Sequence, residues 1–141
     1  MEAYKSWSSD VPAARRRKLF TLAEANRALP LVRQIVTDIV RTHERASHLH
    51  AQLEHRLPPP QRGELETNLE NTVDRLNDLV DELKEVGVEL KDYRLGLIDF
   101  VGKHEGREIY LCWKLGEPAV DHWHELHDGF AGRQSVSMLK K

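Results

Sequence analysis

Three of the eight histidines stand within six residues, in the run Asp121-His122-Trp123-His124-Glu125-Leu126-His127-Asp128. Imidazoles and carboxylates are ordinary ligands of zinc and related divalent ions. On a strand, His122 and His124 would point to one face, the arrangement by which His-x-His pairs bind a metal. On a helix they would diverge, and His124 with His127, or Asp121 with Glu125, would share a face. Either geometry offers two or three N/O ligands, and Asp99 could complete a set from a neighbouring strand. The candidate ligands are His122, His124 and Glu125, with one divalent ion such as zinc. The competing reading is packing: Trp123 anchors the segment, and the histidines and Glu125 hydrogen-bond to a sheet edge.

Several chemistries are excluded by spacing. His124-Glu125-Leu126-His127 is one residue short of the His-Glu-x-x-His zinc helix. There is no Cys-x-x-Cys, and the single cysteine, Cys112, reads as a small buried hydrophobe that no histidine is placed to activate. Gly102-x-x-x-Gly106 lacks the following Lys-Ser/Thr of a phosphate loop and joins two strands.

The elements that must position these residues follow from periodicity. Thr21-Leu22-Ala23-Glu24 is a capping box that opens a helix. Pro30 lacks a donor and restrains Leu29, which predicts a short helix to about Ala28, a break or kink at Leu29-Pro30, and a new helix. From Leu31 to about Arg56 the apolar residues Val32, Ile35, Val36, Ile39, Val40, Ala46, Leu49 and Leu53 recur at helical spacing. Leu57-Pro58-Pro59-Pro60 stops this rod. In the next helix Leu69, Leu76, Leu83 and Leu90 are seven apart, with Leu65, Thr72, Leu79 and Val86 in the second seam position. Gly87 is the expected C′ residue. The two helices should fold back as an antiparallel, coiled-coil-like hairpin. Their stripe is wider than a two-position seam, so a sheet or a second subunit should cover the excess.

After Gly87 the period turns toward two. Val88 to Asp92, Gly96 to Val101 and Arg107 to Trp113 read as strands of an antiparallel meander. A four-residue loop from Lys103 to Gly106 would set Ile98 against Leu111, Phe100 against Ile109, and Asp99 against Tyr110. Ile98, Phe100, Ile109, Leu111 and Trp113 then form the core face. Asp99 lies on the other face, where a strand aspartate needs a partner or a use. The segment from Ala119 to Asp128 stays open between strand and helical turns.

At 141 residues and net charge −2 the chain fits one domain with no general attraction to nucleic acid or anionic membrane. Residues 1–18 carry five cationic groups against Glu2 and Asp10, leaving the remainder acidic. They read as a disordered basic tail, residues 19–134 as the domain, and residues 135–141 as a second tail. No apolar run nears the ~20 residues of a membrane span. No signal-peptide pattern opens the chain. A cytoplasmic address is the expectation.

Three blocks resemble a small bacterial family filed as domain of unknown function 2203. They are Phe20-Thr21-Leu22-Ala23-Glu24-Ala25-Asn26 with Leu29-Pro30; Gly87-Val88-Glu89-Leu90-Lys91-Asp92 through Gly96-Leu97-Ile98-Asp99-Phe100; and Gly106 through Trp113 with Leu115-Gly116-Glu117-Pro118, Trp123-His124-Glu125 and Gly129-Phe130-Ala131-Gly132-Arg133-Gln134. The likeness covers about residues 19–134 and implies no activity. It does move the emphasis from His122 and His127 to Asp99, His124, Glu125, Arg133 and Gln134 around Trp113 and Trp123.

The fold class expected is α+β: a long helical hairpin, a short preceding helix, a three-stranded meander and a His/Trp-rich C-terminal segment. The first functional expectation is an interaction or assembly protein whose hairpin stripe forms a homodimer or captures a partner helix, with a metal or ligand site in the C-terminal segment. The alternative is a small metal-dependent or acid–base hydrolase, with Glu125 or Asp99 as base and His124 as ligand or acid. Nucleic-acid binding through Arg15, Arg16, Arg17 and Lys18 ranks last.

Overall fold

The computed structural model describes residues 18–138. Arg15, Arg16 and Arg17 of the basic run lie outside them. Helix α1 spans Leu22–Leu53 and α2 spans Pro59–Val86. Strands β1 Val88–Asp92, β2 Leu97–His104, β3 Arg107–Lys114, β4 His122–Glu125 and β5 Gln134–Ser135 form one sheet in sequence order. Every pairing in it is antiparallel. The two helices pack along each other and cover one face of that sheet.

The capping box is present in both directions, Glu24 N–H to Thr21 Oγ1 at 3.0 Å and Thr21 N–H to Glu24 Oε1 at 3.0 Å. The expected break at Pro30 is absent, because α1 runs through it without interruption. Tertiary contacts outweigh the one lost helical donor. Asn26 Nδ2 donates to Val120 O at 3.1 Å while Val120 N–H donates back to Asn26 Oδ1 at 2.8 Å. Arg33 Nη2 reaches Pro118 O at 3.2 Å. Ala25 and Leu29 before the proline and Val32 and Val36 after it enter the same core.

Helix α2 begins on the proline run itself, where missing N–H groups cost nothing in a first turn. It ends at Gly87, whose φ of 101° is the left-handed cap that glycine adopts freely. The wide stripe on α2 is covered mainly from within: Leu76, Leu79 and Leu83 join Ile98, Phe100, Leu111 and Trp113 in one core.

The meander has five strands rather than three. The segment left open between strand and helix contributes β4, and Gln134–Ser135 adds β5. The expected tail from Ser135 is therefore displaced, since Val136 packs against the core. The hairpin between β2 and β3 is also tighter than expected. His104 pairs with Arg107, so only Glu105 and Gly106 form the turn. Both have positive φ, 53° and 80°, as the common two-residue hairpin turn requires. Ile98 consequently faces Trp113, Phe100 faces Leu111, and Asp99 faces Cys112 instead of Tyr110. The slip is two residues, and a slip of two preserves which side chains share a face.

Candidate metal centre

Strand alternation sends Ile98, Phe100, Leu111, Trp113 and Trp123 toward the helices. The intervening residues Asp99, Cys112 and His124 go to the opposite face, on three adjacent strands. Asp99 stands opposite Cys112, and His124 is opposite Tyr110, diagonal to Cys112. All three are buried, with 2%, 0% and 3% of their surfaces exposed. One ligand atom from each lies within 4.8 Å of the others.

The hydrogen bonds of His124 fix its tautomer. Nδ1 is 2.8 Å from the carbonyl oxygen of Glu125, which can only accept, so Nδ1 carries a hydrogen. Nε2 then points at the Asp99 carboxylate, 3.2 Å from each oxygen. A bare nitrogen lone pair and a carboxylate repel unless a cation lies between them. That cation is either a proton, carried by the ring or by the Asp99 carboxyl, or a metal ion.

Burial pushes the Asp99 carboxyl above its usual range, despite the opposing influence of His124 and Lys91. Burial, with the nearby Asp99 charge second, pushes the Cys112 thiol up to about 12. Around the trio, Lys91 Nζ lies 3.9 Å from Asp99 Oδ2 and 3.1 Å from Glu89 Oε1. Tyr110 donates its hydroxyl hydrogen to Glu89 at 2.9 Å. Burial and that hydrogen bond raise the phenol above its usual range.

The sequence-stated ligand set His122, His124 and Glu125 is not brought together, for a simple reason of alternation. Glu125 falls on the other face from His124 and holds Arg107 through bonds of 2.6 and 3.0 Å. His122 shares the face of His124 and pairs with Cys112, but its ring is grouped with Asp121 and Glu117. Its Nδ1 is 2.7 Å from Asp121 Oδ1, off the line a hydrogen bond needs, and that nitrogen is buried without a bonded partner among the described residues. A second group, Glu117, Asp121 and His122, has ligand-like spacing. Glu117 is already engaged there by Arg133, at 2.6 and 2.8 Å, and by the N–H of Lys114.

The expected pocket around Asp99, Trp113, Trp123, Arg133 and Gln134 is likewise divided. Both tryptophans are in the helix-facing core, Trp113 donating Nε1–H to Glu117 O at 3.0 Å. Arg133 serves Glu117, and Gln134 is an exposed residue of β5. Among the sequence-derived candidates, Asp99 and His124 meet through their side chains, and Trp123 and Gln134 are cross-strand partners. Cys112 reads from the sequence as a buried hydrophobe; the register that goes with a two-residue turn at Glu105 and Gly106 sets it opposite Asp99.

Fold and site together define an α+β domain, a helical hairpin on one face of an antiparallel sheet and an Asp/Cys/His cluster on the other. The family model described as "Uncharacterized conserved protein (DUF2203)" matches residues 18–136, and the chain belongs to that family. No curated protein and no solved structure matches the chain.

Proposed function

We propose that this protein is a metal-binding domain whose buried centre, Asp99, Cys112 and His124, holds one divalent ion with zinc-like preferences. The observation that carries the reading is the aim of His124: Nδ1–H is spent on a backbone carbonyl, and Nε2 is turned to a carboxylate with a thiol beside it. A metal-bound histidine is oriented in this way. The spacing agrees. A charge-assisted N–H···O bond closes to about 2.7–2.9 Å, as the two arginine–carboxylate pairs of this protein do at 2.6 Å. Ligand atoms around a tetrahedral zinc stand about 3.3 Å apart, given zinc–ligand bonds of about 2.0–2.2 Å. The two contacts of 3.2 Å between His124 and Asp99 fit that second geometry.

Three strands would be tied together by such an ion, which gives the centre a structural role. A hydrolytic reading is supported by the ligand count, because three protein ligands leave a fourth position for water. Tyr110 and Lys91 lie beside it to pass or hold a proton. The assembly reading keeps less support. On the two helices the large hydrophobics left exposed are Leu31 and Val73, at 56% and 39%.

Cobalt substitution tests the centre directly. One equivalent of Co²⁺ should give a thiolate-to-cobalt charge-transfer band in the near ultraviolet and the intense visible bands of a tetrahedral ion. Cys112→Ser should abolish the first. Failure of the full-length protein to retain any cobalt or zinc against a weak chelator would remove the proposal.

A further inference from the structure

The Asp99/Cys112/His124 centre is sealed from the helix side, where Ile98, Phe100, Leu111 and Trp113 back the sheet. On its outer side, groups from the strands flanking β2 meet above Asp99. Glu89 of β1 is the cross-strand partner of Asp99, so the two share a face. Lys91, two residues on, keeps that face. The register shifts between Leu90 and Asp92, which leaves Lys91 with no cross-strand partner of its own. Such a bulge re-aims a side chain, and here Lys91 leans back over Asp99. Tyr110 of β3, the partner of Val101, reaches in from the other side.

Three contacts close this roof. Lys91 Nζ is 3.1 Å from Glu89 Oε1. Tyr110 donates its hydroxyl hydrogen to the same oxygen at 2.9 Å. The Lys91 ammonium lies 4.4 Å from the centre of the Tyr110 ring. Beneath them, Lys91 Nζ is 3.9 Å from Asp99 Oδ2, and the Tyr110 and His124 ring centres are 5.3 Å apart. A separation of 3.9 Å leaves no room for a water between ammonium and carboxylate, and a hydrated ion is larger still. The Lys91 and Glu89 side chains are 36% and 37% exposed, whereas the trio below is buried. β2 is paired on both edges, so the strands cannot part to admit an ion. The exposed side chains can, because rotamers of such groups change within nanoseconds.

We propose that Glu89, Lys91 and Tyr110 form a side-chain gate through which the ion enters and leaves the centre. The proposal rests on the metal reading above and adds a division of labour: the gate sets how fast the ion exchanges, and the three ligands set how tightly it is held. Charge keeps the loaded gate closed. A divalent ion neutralises the Asp99 carboxylate and the Cys112 thiolate, and Glu89 and Lys91 neutralise each other, so neither gains by turning to the ion.

The test follows Co²⁺ uptake by the full-length chain in stopped flow, read in the thiolate-to-cobalt band, with release started by excess chelator. Tyr110→Phe removes one gate bond and no charge. It should make uptake and release both about tenfold faster, with the dissociation constant unchanged within about twofold. The double variant Glu89→Gln/Lys91→Met removes both charges at constant net charge and should act alike. Asn26→Ala, which loosens the helix side of the domain, should leave both rates as they are. Wild-type rates in the two gate variants, faster release without faster uptake, or equal acceleration by Asn26→Ala would overturn the gate and leave the metal centre standing. No cobalt uptake by the wild type would overturn the metal centre and the gate with it.

Discussion

Replacing His124 with alanine should expose how the trio is held. In the metal-free protein the change removes the partner of a carboxylate that is only 2% exposed, together with the bond to Glu125 O. Lys91, 3.9 Å away, remains as the nearest cation. Breaking a buried pair by deleting one member costs about 3–5 kcal/mol. Protonation of Asp99, already favoured by its burial, limits the loss, so about 3 kcal/mol is expected at pH 7 and less at pH 5. Asp99→Asn, which keeps a hydrogen-bonding group in place, should cost about 1–2 kcal/mol. Urea unfolding in the presence of a chelator measures both. Zinc supplied at a hundredfold excess over its dissociation constant should add about 2.7 kcal/mol to the wild type. For a domain of this size that raises the thermal midpoint by about 10 °C. Cys112→Ser and His124→Ala should lose that increment. If His124→Ala matches the wild type within about 0.5 kcal/mol in chelator, the buried pair is not an energetic unit. A zinc increment that survives both substitutions would refute the ligand set.

Other expectations rest on separate features. With the thiol at about 12, only on the order of one Cys112 in 10⁵ is ionised at pH 7; zinc binding should therefore release the thiol proton together with the proton held between His124 and Asp99, about two per ion, read in a weakly buffered titration. Asn26→Ala strips both partners from the buried backbone of Val120 and should cost about 2–4 kcal/mol, measured by denaturant unfolding; a loss under about 1 kcal/mol would mean water replaces the amide. Glu105→Asn suits the positive φ of 53° better than glutamate and should raise stability by about 0.5–1 kcal/mol. Burial pushes the Glu117 carboxyl up, but its bonds to Arg133 and to the Lys114 N–H prevail and hold it below the ordinary range. A depressed folded-state value gives stability that is complete above the unfolded value and is lost as pH falls through the folded one. Glu117→Gln should thus flatten the acid limb of the stability curve below about pH 4.5.

The sequence by itself determined the two long helices, the first three strands, the faces of β2 and β3, and the family. Helical spacing marked α1 and α2, Gly87 marked where the second ends, and alternation placed Ile98, Phe100 and Trp113 in the core and Asp99 away from it. These are local properties, set by bond geometry within a few residues. Pro30 shows the limit of locality: its missing donor argued for a break, and the bonds of Asn26 and Arg33 to residues 117–120 override it. The candidate site depended on more. His122, His124 and Glu125 are neighbours along the chain, yet pleating separates Glu125 from His124, and His122 sits two pairs further along the strand, grouped with Asp121 and Glu117. Asp99, Cys112 and His124 are distant along the chain, and they meet because strand register does. That register turns on whether the β2–β3 loop holds two residues or four, a choice made by packing of both strands rather than by the loop alone. Only the tertiary structure could decide it, because the energy that fixes a register is summed over every cross-strand pair.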